Sequence, residues 1–123
     1  GKDEREVPLD LDRFRATTSR RLVDIPSPLA LAAVIARASL FGSGSTGPMH
    51  LAAAVGTPVL AFFSPVRSCS PRRWGPVGEA TTIILPQVPE CRTCKGDTCE
   101  YYDCMERVEL AKIREALSVS LGR

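Results

Sequence analysis

No run of apolar residues comes near the roughly 18–20 that a bilayer-crossing helix needs. The opening Gly1-Lys2-Asp3-Glu4-Arg5 is charged, unlike a secretory leader. Neither a membrane span nor an export signal is expected, which leaves a soluble cytosolic domain as the plain expectation. An excess of one charge is also missing. Sixteen Lys and Arg stand against 14 Asp and Glu, a net charge of +2, too weak a field to select nucleic acid or another polyanion. No internal repeat and no low-complexity stretch is present. Cysteine is the residue in excess. Four of the five thiols crowd between Cys91 and Cys104, which points to a metal site or a local staple rather than a fold-wide disulfide framework.

The 123 residues suit one domain. Residues 3–14 are charged, weakly periodic and interrupted by Pro8, and read as one or two short helices. Leu22-Val23-Asp24-Ile25, closed by Pro26 and Pro28, reads as a strand. Ser27 is placed to cap a helix reaching about Arg37, with Leu29, Ala32, Ala33 and Ala36 on one side. Ser39-Leu40-Phe41 is a second short strand, ended by Gly42-Ser43-Gly44. The next helix opens near Thr46 or Gly47 and stops at Gly56, which suits a left-handed cap. Residues 59–63 are continuously apolar, as in a strand buried on both faces of a parallel sheet.

A Pro- and Arg-rich loop over 64–78 follows, and residues 81–85 read as the last strand. Residues 106–121 carry Val108, Ala111, Ile113, Leu117 and Leu121 near helical spacing. This alternation predicts an α/β fold, a parallel sheet covered by helices. Gly1-Lys2-Asp3-Glu4 has the character of a loop that follows a strand, so the chain is expected to be part of a larger domain.

The densest chemical signal is Phe41-Gly42-Ser43-Gly44-Ser45-Thr46-Gly47-Pro48-Met49-His50, followed by Leu51-Ala52-Ala53-Ala54 and Gly56-Thr57-Pro58. A strand ends in small residues, and a helix begins at once with hydroxyls and glycine at its mouth. The first amides of a helix lack internal partners and lie at the positive end of its dipole. Glycine and short hydroxyl side chains there let a diphosphate approach closely. In an open α/β sheet this junction is where ligands bind. The same residues also make an ordinary helix start, and the alanines alone would explain close packing of the helix on a sheet.

The run from Ser45 to Ala54 with Gly56-Thr57-Pro58-Val59 resembles the hallmark of glycosyltransferase family 9, the ADP-heptose:lipopolysaccharide heptosyltransferase family. Members typically show Asp-Ser/Thr-Gly-Pro-Met/Leu-His-Leu-Ala-Ala-Ala and then Gly-Thr/Lys-Pro-Val. Gly1-Lys2-Asp3-Glu4 is similar to the family's Gly-Gly-x-x-Glu turn, Leu22-Val23-Asp24 to its next strand, and Cys91-x-x-Cys94 with Cys99 and Cys104-Met105 to its late cysteine cluster. Ser45 stands where many members carry Asp, a variant that occurs within the family, and Ser64 stands where Gly is commoner.

The resemblance implies a GT-B enzyme with two Rossmann-like domains. This chain corresponds to part of the C-terminal, nucleotide-sugar-binding domain over residues 1–123, and the acceptor domain is absent from it. It also implies roles. Ser45 occupies the sugar-contacting position, while Thr46 and Gly47 would hold the donor diphosphate. His50, one turn into the helix, would approach phosphate or sugar, and Glu4 would accept hydrogen bonds from the ribose. A lone histidine is otherwise a partly buried helix residue, and Glu4 a solvated charge. The implied reaction is an inverting, metal-independent transfer of a heptose-like sugar from a nucleotide-diphosphate sugar to a lipopolysaccharide or glycan acceptor. It would take place in the cytoplasm, peripherally at the inner face of the bacterial inner membrane. No catalytic residue is assigned to this chain, no cofactor is needed for the chemistry, and the chain alone is expected to be inactive.

Arg67, Arg72, Arg73 and Trp74 lie in the loop after the strongest strand, where guanidinium groups could meet phosphate or simply be solvated. Cys91-x2-Cys94-x4-Cys99-x4-Cys104 could close a tetrahedral zinc site, hold an iron–sulfur cluster, or remain reduced or disulfide-linked. The spacing is neither that of a zinc ribbon nor a usual cluster run. Cys69 has no evident partner. Two rival functions follow from the residues, a cysteine-site module that uses zinc to present its basic loop to a partner, and another sugar-nucleotide enzyme of the same fold, such as an epimerase.

Overall fold

The computed structural model describes Leu22 and residues 24–122. The helices expected over 3–14, and Glu4 with them, lie outside these residues. The described elements are α1 (Pro28–Ile35), β1 (Phe41–Gly44), α2 (Gly47–Ala54), β2 (Val59–Phe62), α3 (Pro71–Trp74), β3 (Thr81–Ile84) and α4 (Leu110–Ser120), with short 3-10 turns at Arg67–Cys69, Gly96–Thr98 and Cys104–Glu106. The strands form one parallel sheet in the order β1-β2-β3. The α/β architecture read from the sequence is the one observed.

β2 is the centre. Val59, Ala61 and Phe63 point to one face and join Ile35, Met49 and Ala52 of α1 and α2 in a buried cluster. Leu60 points to the other face and packs with Ile84 and with Ala116 of α4, while Phe62 lies against the same cluster. A strand covered on both sides must be apolar at every position, which is why 59–63 is a continuous run.

Of the strand expected at 22–25, Val23 lies outside the described residues, and Leu22, Asp24 and Ile25 are not in a strand: Asp24 takes φ +60°, a left-handed conformation that interrupts an extended path, and Leu22 and Ile25 are exposed. β1 runs later than the expected 39–41. Its glycines pair in register with β2, Gly42 with Leu60 and Gly44 with Phe62, because the ladder bonds backbone to backbone and needs no side chain. Ser27 caps α1 as expected, its Oγ accepting from the Ala30 amide at 3.1 Å. The buried face of α1 is Ala32 with Ile35, however, and Leu29 is 80% exposed. Ile35 is large enough to reach Met49, and its packing rotates the helix away from the expected Leu29, Ala33 and Ala36 face. α4 likewise starts at Leu110 rather than 106, since Arg107 and Val108 are engaged beforehand: Gln87 donates its amide to the Arg107 carbonyl at 2.8 Å and Pro86 bridges Val108. Ala116 and Ile113 face the sheet, while Ala111, Leu117 and Leu121 face outward.

Gly56 closes α2 at φ +78°. The Thr57 amide reaches the Ala52 carbonyl at 3.0 Å and the Gly56 amide that of Ala53 at 3.2 Å, the paired bonds of a Schellman cap. Thr57 is buried, and its Oγ1 donates to the Ile35 carbonyl at 3.0 Å. The Ile35 carbonyl also accepts from the Ala38 amide at 2.9 Å, so Thr57 fills its second acceptor position and ties α1 to the turn that feeds β2. Thr57→Val, which keeps the shape and removes the donor, is expected to cost about 1–3 kcal/mol. Gly56→Ala, forced into a left-handed conformation, is expected to cost about 1–2 kcal/mol. Urea unfolding of both variants checks these values, and an unchanged midpoint for Thr57→Val would show that the bond is dispensable.

Residues 87–107 form an excursion closed at its base by the Pro86–Val108 pairing. Arg107 grips Asp103 four residues back (Nε to Oδ1 3.0 Å, Nη2 to Oδ1 2.9 Å) and lies 5.3 Å from the Tyr101 ring. The Arg107 hydrogen bond holds the Asp103 carboxyl below its ordinary range, and Asp103 in turn raises Arg107. A depressed carboxylate favours the fold above its unfolded value and loses that contribution as pH falls through the folded one. A carbon-detected NMR titration should therefore find the Asp103 midpoint lower in the native chain than in Arg107→Gln, and equal midpoints would remove the pairing as the cause.

Candidate functional site

Gly44, Phe62 and Ile84 form the last row of the sheet's register, so the three strands end level. The chain leaves this carboxyl edge at Ser45, at Phe63-Ser64 and at Leu85-Pro86. Ligands of parallel sheets bind at such an edge, where helix mouths open towards it.

The connection from β1 to α2 is only Ser45-Thr46. Thr46 is the N-cap residue, in an extended conformation at φ −138° and ψ 172°. A threonine there ordinarily gives its side-chain oxygen to an amide of the first turn, but this one makes no such bond. Its Oγ1 lies 3.2 Å from Ser43 Oγ and 3.5 Å from the Gly44 carbonyl, and Ser43 Oγ donates to that carbonyl at 3.0 Å. The Met49 amide bonds instead to the Thr46 carbonyl at 3.1 Å. Pro48 brings no N–H, so Gly47 supplies the helical amide donor of the first two positions.

Ser45, Thr46, Gly47 and His50 are all exposed. A Cβ added at Gly47 would meet nothing within 4 Å, so the mouth is open. His50 follows Thr46 by four residues and therefore lies on the same helix face. No acidic residue stands in the first turn of α2, and nothing there offsets the positive end of its dipole. The structure thus brings Ser45, Thr46, Gly47 and His50 together, while Glu4 lies outside the described residues. Ser43 was not singled out by sequence. Its partnership with Thr46 depends on the strand reaching Gly44, which the glycines concealed.

The loop after β2 leaves from the same edge. Arg67 is already engaged, its Nε 2.8 Å from Glu90 Oε1 in an exposed pair, an interaction worth little in water. Trp74 donates its indole N–H to the Ser68 carbonyl at 2.9 Å, and the Arg73 guanidinium lies 5.4 Å from the Trp74 ring. Arg72 and Arg73 are exposed on α3.

The cysteine segment is joined to this loop. Cys91 bridges Val66, donating its amide to the Pro65 carbonyl at 3.0 Å and accepting from the Arg67 amide at 2.9 Å. All five cysteines are free. Among the described residues, no three or more His, Cys, Asp or Glu side chains are gathered into a set that could hold a metal ion. Cys91, Cys94, Cys99 and Cys104 are therefore near in sequence without forming a ready ligand set.

Comparison with known proteins bears on the same stretch. The profile of glycosyltransferase family 9 (heptosyltransferase) matches residues 27–104, which includes the helix mouth and all four clustered cysteines. A Haemophilus influenzae protein named "Putative glycosyltransferase" is 47% identical over 66 residues, which is 54% of this chain and 17% of that protein. The chain thus aligns with only a small share of that relative's length. No solved structure matches. With a helix-flanked parallel sheet, a serine-threonine-glycine-proline mouth at its carboxyl edge and a profile match across more than half its length, the chain belongs to glycosyltransferase family 9.

Proposed function

We propose that this chain is the donor-binding part of a transferase that moves a heptose-like sugar from a nucleotide diphosphate to a lipopolysaccharide or other glycan acceptor. The observation that carries the proposal is the Thr46 hydroxyl, turned away from its usual capping bond and held by Ser43 beside the open Gly47 mouth. A hydroxyl that can exchange its bond to Ser43 or the Gly44 carbonyl for a ligand oxygen, and an amide, both at the positive end of a helix, offer donors to an oxyanion without acidic competition. His50, one turn on, could add a third donor. Ser45, exposed at the tip of the connection, would face the sugar.

In this reading the mouth binds the pyrophosphate in the ground state and stabilises the charge that grows on it as the glycosidic bond breaks. The acceptor hydroxyl would be deprotonated by a carboxylate of a second Rossmann-like domain, the other half of a GT-B enzyme, and would attack with inversion. That division of labour leaves no catalytic residue here, and the chain alone is proposed to be inactive. The described residues include no helix long and apolar enough to cross a membrane. The proposed setting is cytoplasmic, at the inner face of a bacterial inner membrane where such acceptors are built.

Calorimetric titration of ADP and ADP-heptose into the intact protein tests the site. A hydrogen bond to a charged oxygen contributes about 1.5–3 kcal/mol, so Thr46→Ala should weaken binding about 10- to 100-fold. Gly47→Val, which fills the open space, should weaken it at least as much. Undiminished affinity in both variants would move the diphosphate elsewhere.

A further inference from the structure

We propose that Arg72 and Arg73 form a second oxyanion site beyond the carboxyl edge, separate from the α2 mouth, and that it takes a phosphate or carboxylate borne by the sugar acceptor. The assignment to the acceptor rests on the reading of the mouth as the donor's seat. Charge is the first observation. Residues 64–78 include Arg67, Arg72 and Arg73 and no acidic residue, so this loop carries +3 where the whole chain carries +2. Arg67 is paired with Glu90. Arg72 makes no ion pair among the described residues, and Arg73 has the Trp74 ring at 5.4 Å in place of a carboxylate. Both guanidinium groups are exposed.

The second observation is that the turn bearing them is fixed, and fixed on the ligand side. The Val66–Cys91 bridge is parallel and lies past the row of Gly44, Phe62 and Ile84, and Arg67 follows it at once. Beyond it, the Ser70 carbonyl accepts from the Arg73 and Trp74 amides, both at 3.0 Å, and the Pro71 carbonyl from the Gly75 amide at 2.7 Å. The Trp74 indole N–H closes the turn on the Ser68 carbonyl at 2.9 Å. A Cβ on Gly75 would collide with the Pro71 carbonyl oxygen, so the turn needs glycine there. A merely solvated loop needs none of these bonds. Arginines on a fixed turn lose less freedom on binding than those on a mobile one, and the guanidinium fork matches phosphate and carboxylate. Trp74 is 49% exposed with its N–H already spent. Its ring offers an apolar surface beside the charges, a combination suited to a charged sugar. The turn is tied through Cys91 to the chain that follows β3, whereas the mouth opens from β1, with β2 between them. Two strand spacings are about 10 Å, so a pyrophosphate at the mouth leaves these arginines to a different group.

Glucose 6-phosphate and glucuronate serve as probes, with glucose as the neutral control, in calorimetric titrations of the intact protein saturated with ADP. Both anions are expected to bind and glucose is not, and the affinity should fall as salt is added. The stronger anion identifies the acceptor's group. Arg72→Gln combined with Arg73→Gln should weaken both anions about tenfold and leave ADP affinity unchanged, whereas Thr46→Ala should weaken ADP and spare the probes. Gly75→Ala, which keeps both arginines and displaces the turn, should weaken the probes as well. Probes that follow the arginines while ADP ignores Thr46→Ala would support the oxyanion site and sink the donor reading alone. No binding of either anion, equal binding of glucose, probe affinity indifferent to the double arginine variant or to Gly75→Ala, or ADP affinity lost in the double arginine variant would each overturn the proposal.

Discussion

β2 is bonded along both edges and covered on both faces, and the other elements take their positions from it. Its odd residues, Val59, Ala61 and Phe63, seat α1 and α2, while Leu60 seats α4 through Ala116. Because β1 and β3 pair with it in matching register, the three strands finish in one row. That row determines which loops leave from the same edge of the sheet. Had β1 stopped at Phe41, where its apolar character ends, the α2 mouth would have opened some three residues short of the edge formed by the other strands.

The glycines of β1 take on a clear meaning within that frame. Gly42 and Gly44 keep the strand extended past its last large side chain and leave its α4-facing surface bare. The chain then enters α2 after two residues, which forces Thr46 into the cap position with Ser43 close behind it. An ordinary N-cap threonine would consume its hydroxyl on the helix. Here Ser43 and the Gly44 carbonyl take that hydroxyl instead, and the helix closes its first turn through the Thr46 carbonyl. Good capping alone does not account for this arrangement, since the side chain does no capping.

How much of this could be read from sequence depended on whether a residue's role was local. Both ends of α2 were legible because Pro48 and Gly56 can do little else at their positions, and β2 was legible because double burial leaves no polar residue in the run. The faces of α1 and α4 were not. Pro28–Ile35 is apolar on every side, so periodicity had no polar stripe to orient it, and only contact with Met49 decided for Ile35. The strand expected around Asp24 failed for a related reason: a short apolar run says nothing of the backbone angle inside it. Thr46, Gly47 and His50 could be found from their spacing, whereas the pairing of Arg67 with Glu90 joins residues 23 apart and no local pattern foretells it. The four cysteines were conspicuous, but spacing alone could not choose among their chemical states.

The exposure of the helix mouth has a consequence for its strength. Two unit charges 4 Å apart attract by about 1 kcal/mol in bulk water and by about 4 kcal/mol at an effective dielectric constant near 20. Ser45, Thr46, Gly47 and His50 all face solvent, so an anion seated there by this chain alone is in the weaker regime. The outer edge of β1 has no neighbouring strand among the described residues, and apolar side chains such as Leu29 and Val119 stand about 80% exposed. These surfaces are open to solvent, and removal of water from the carboxyl edge would strengthen every donor at the mouth at once. On the proposed reading the chain supplies the geometry of an anion site, and the affinity of that site follows how far its mouth is shielded from water.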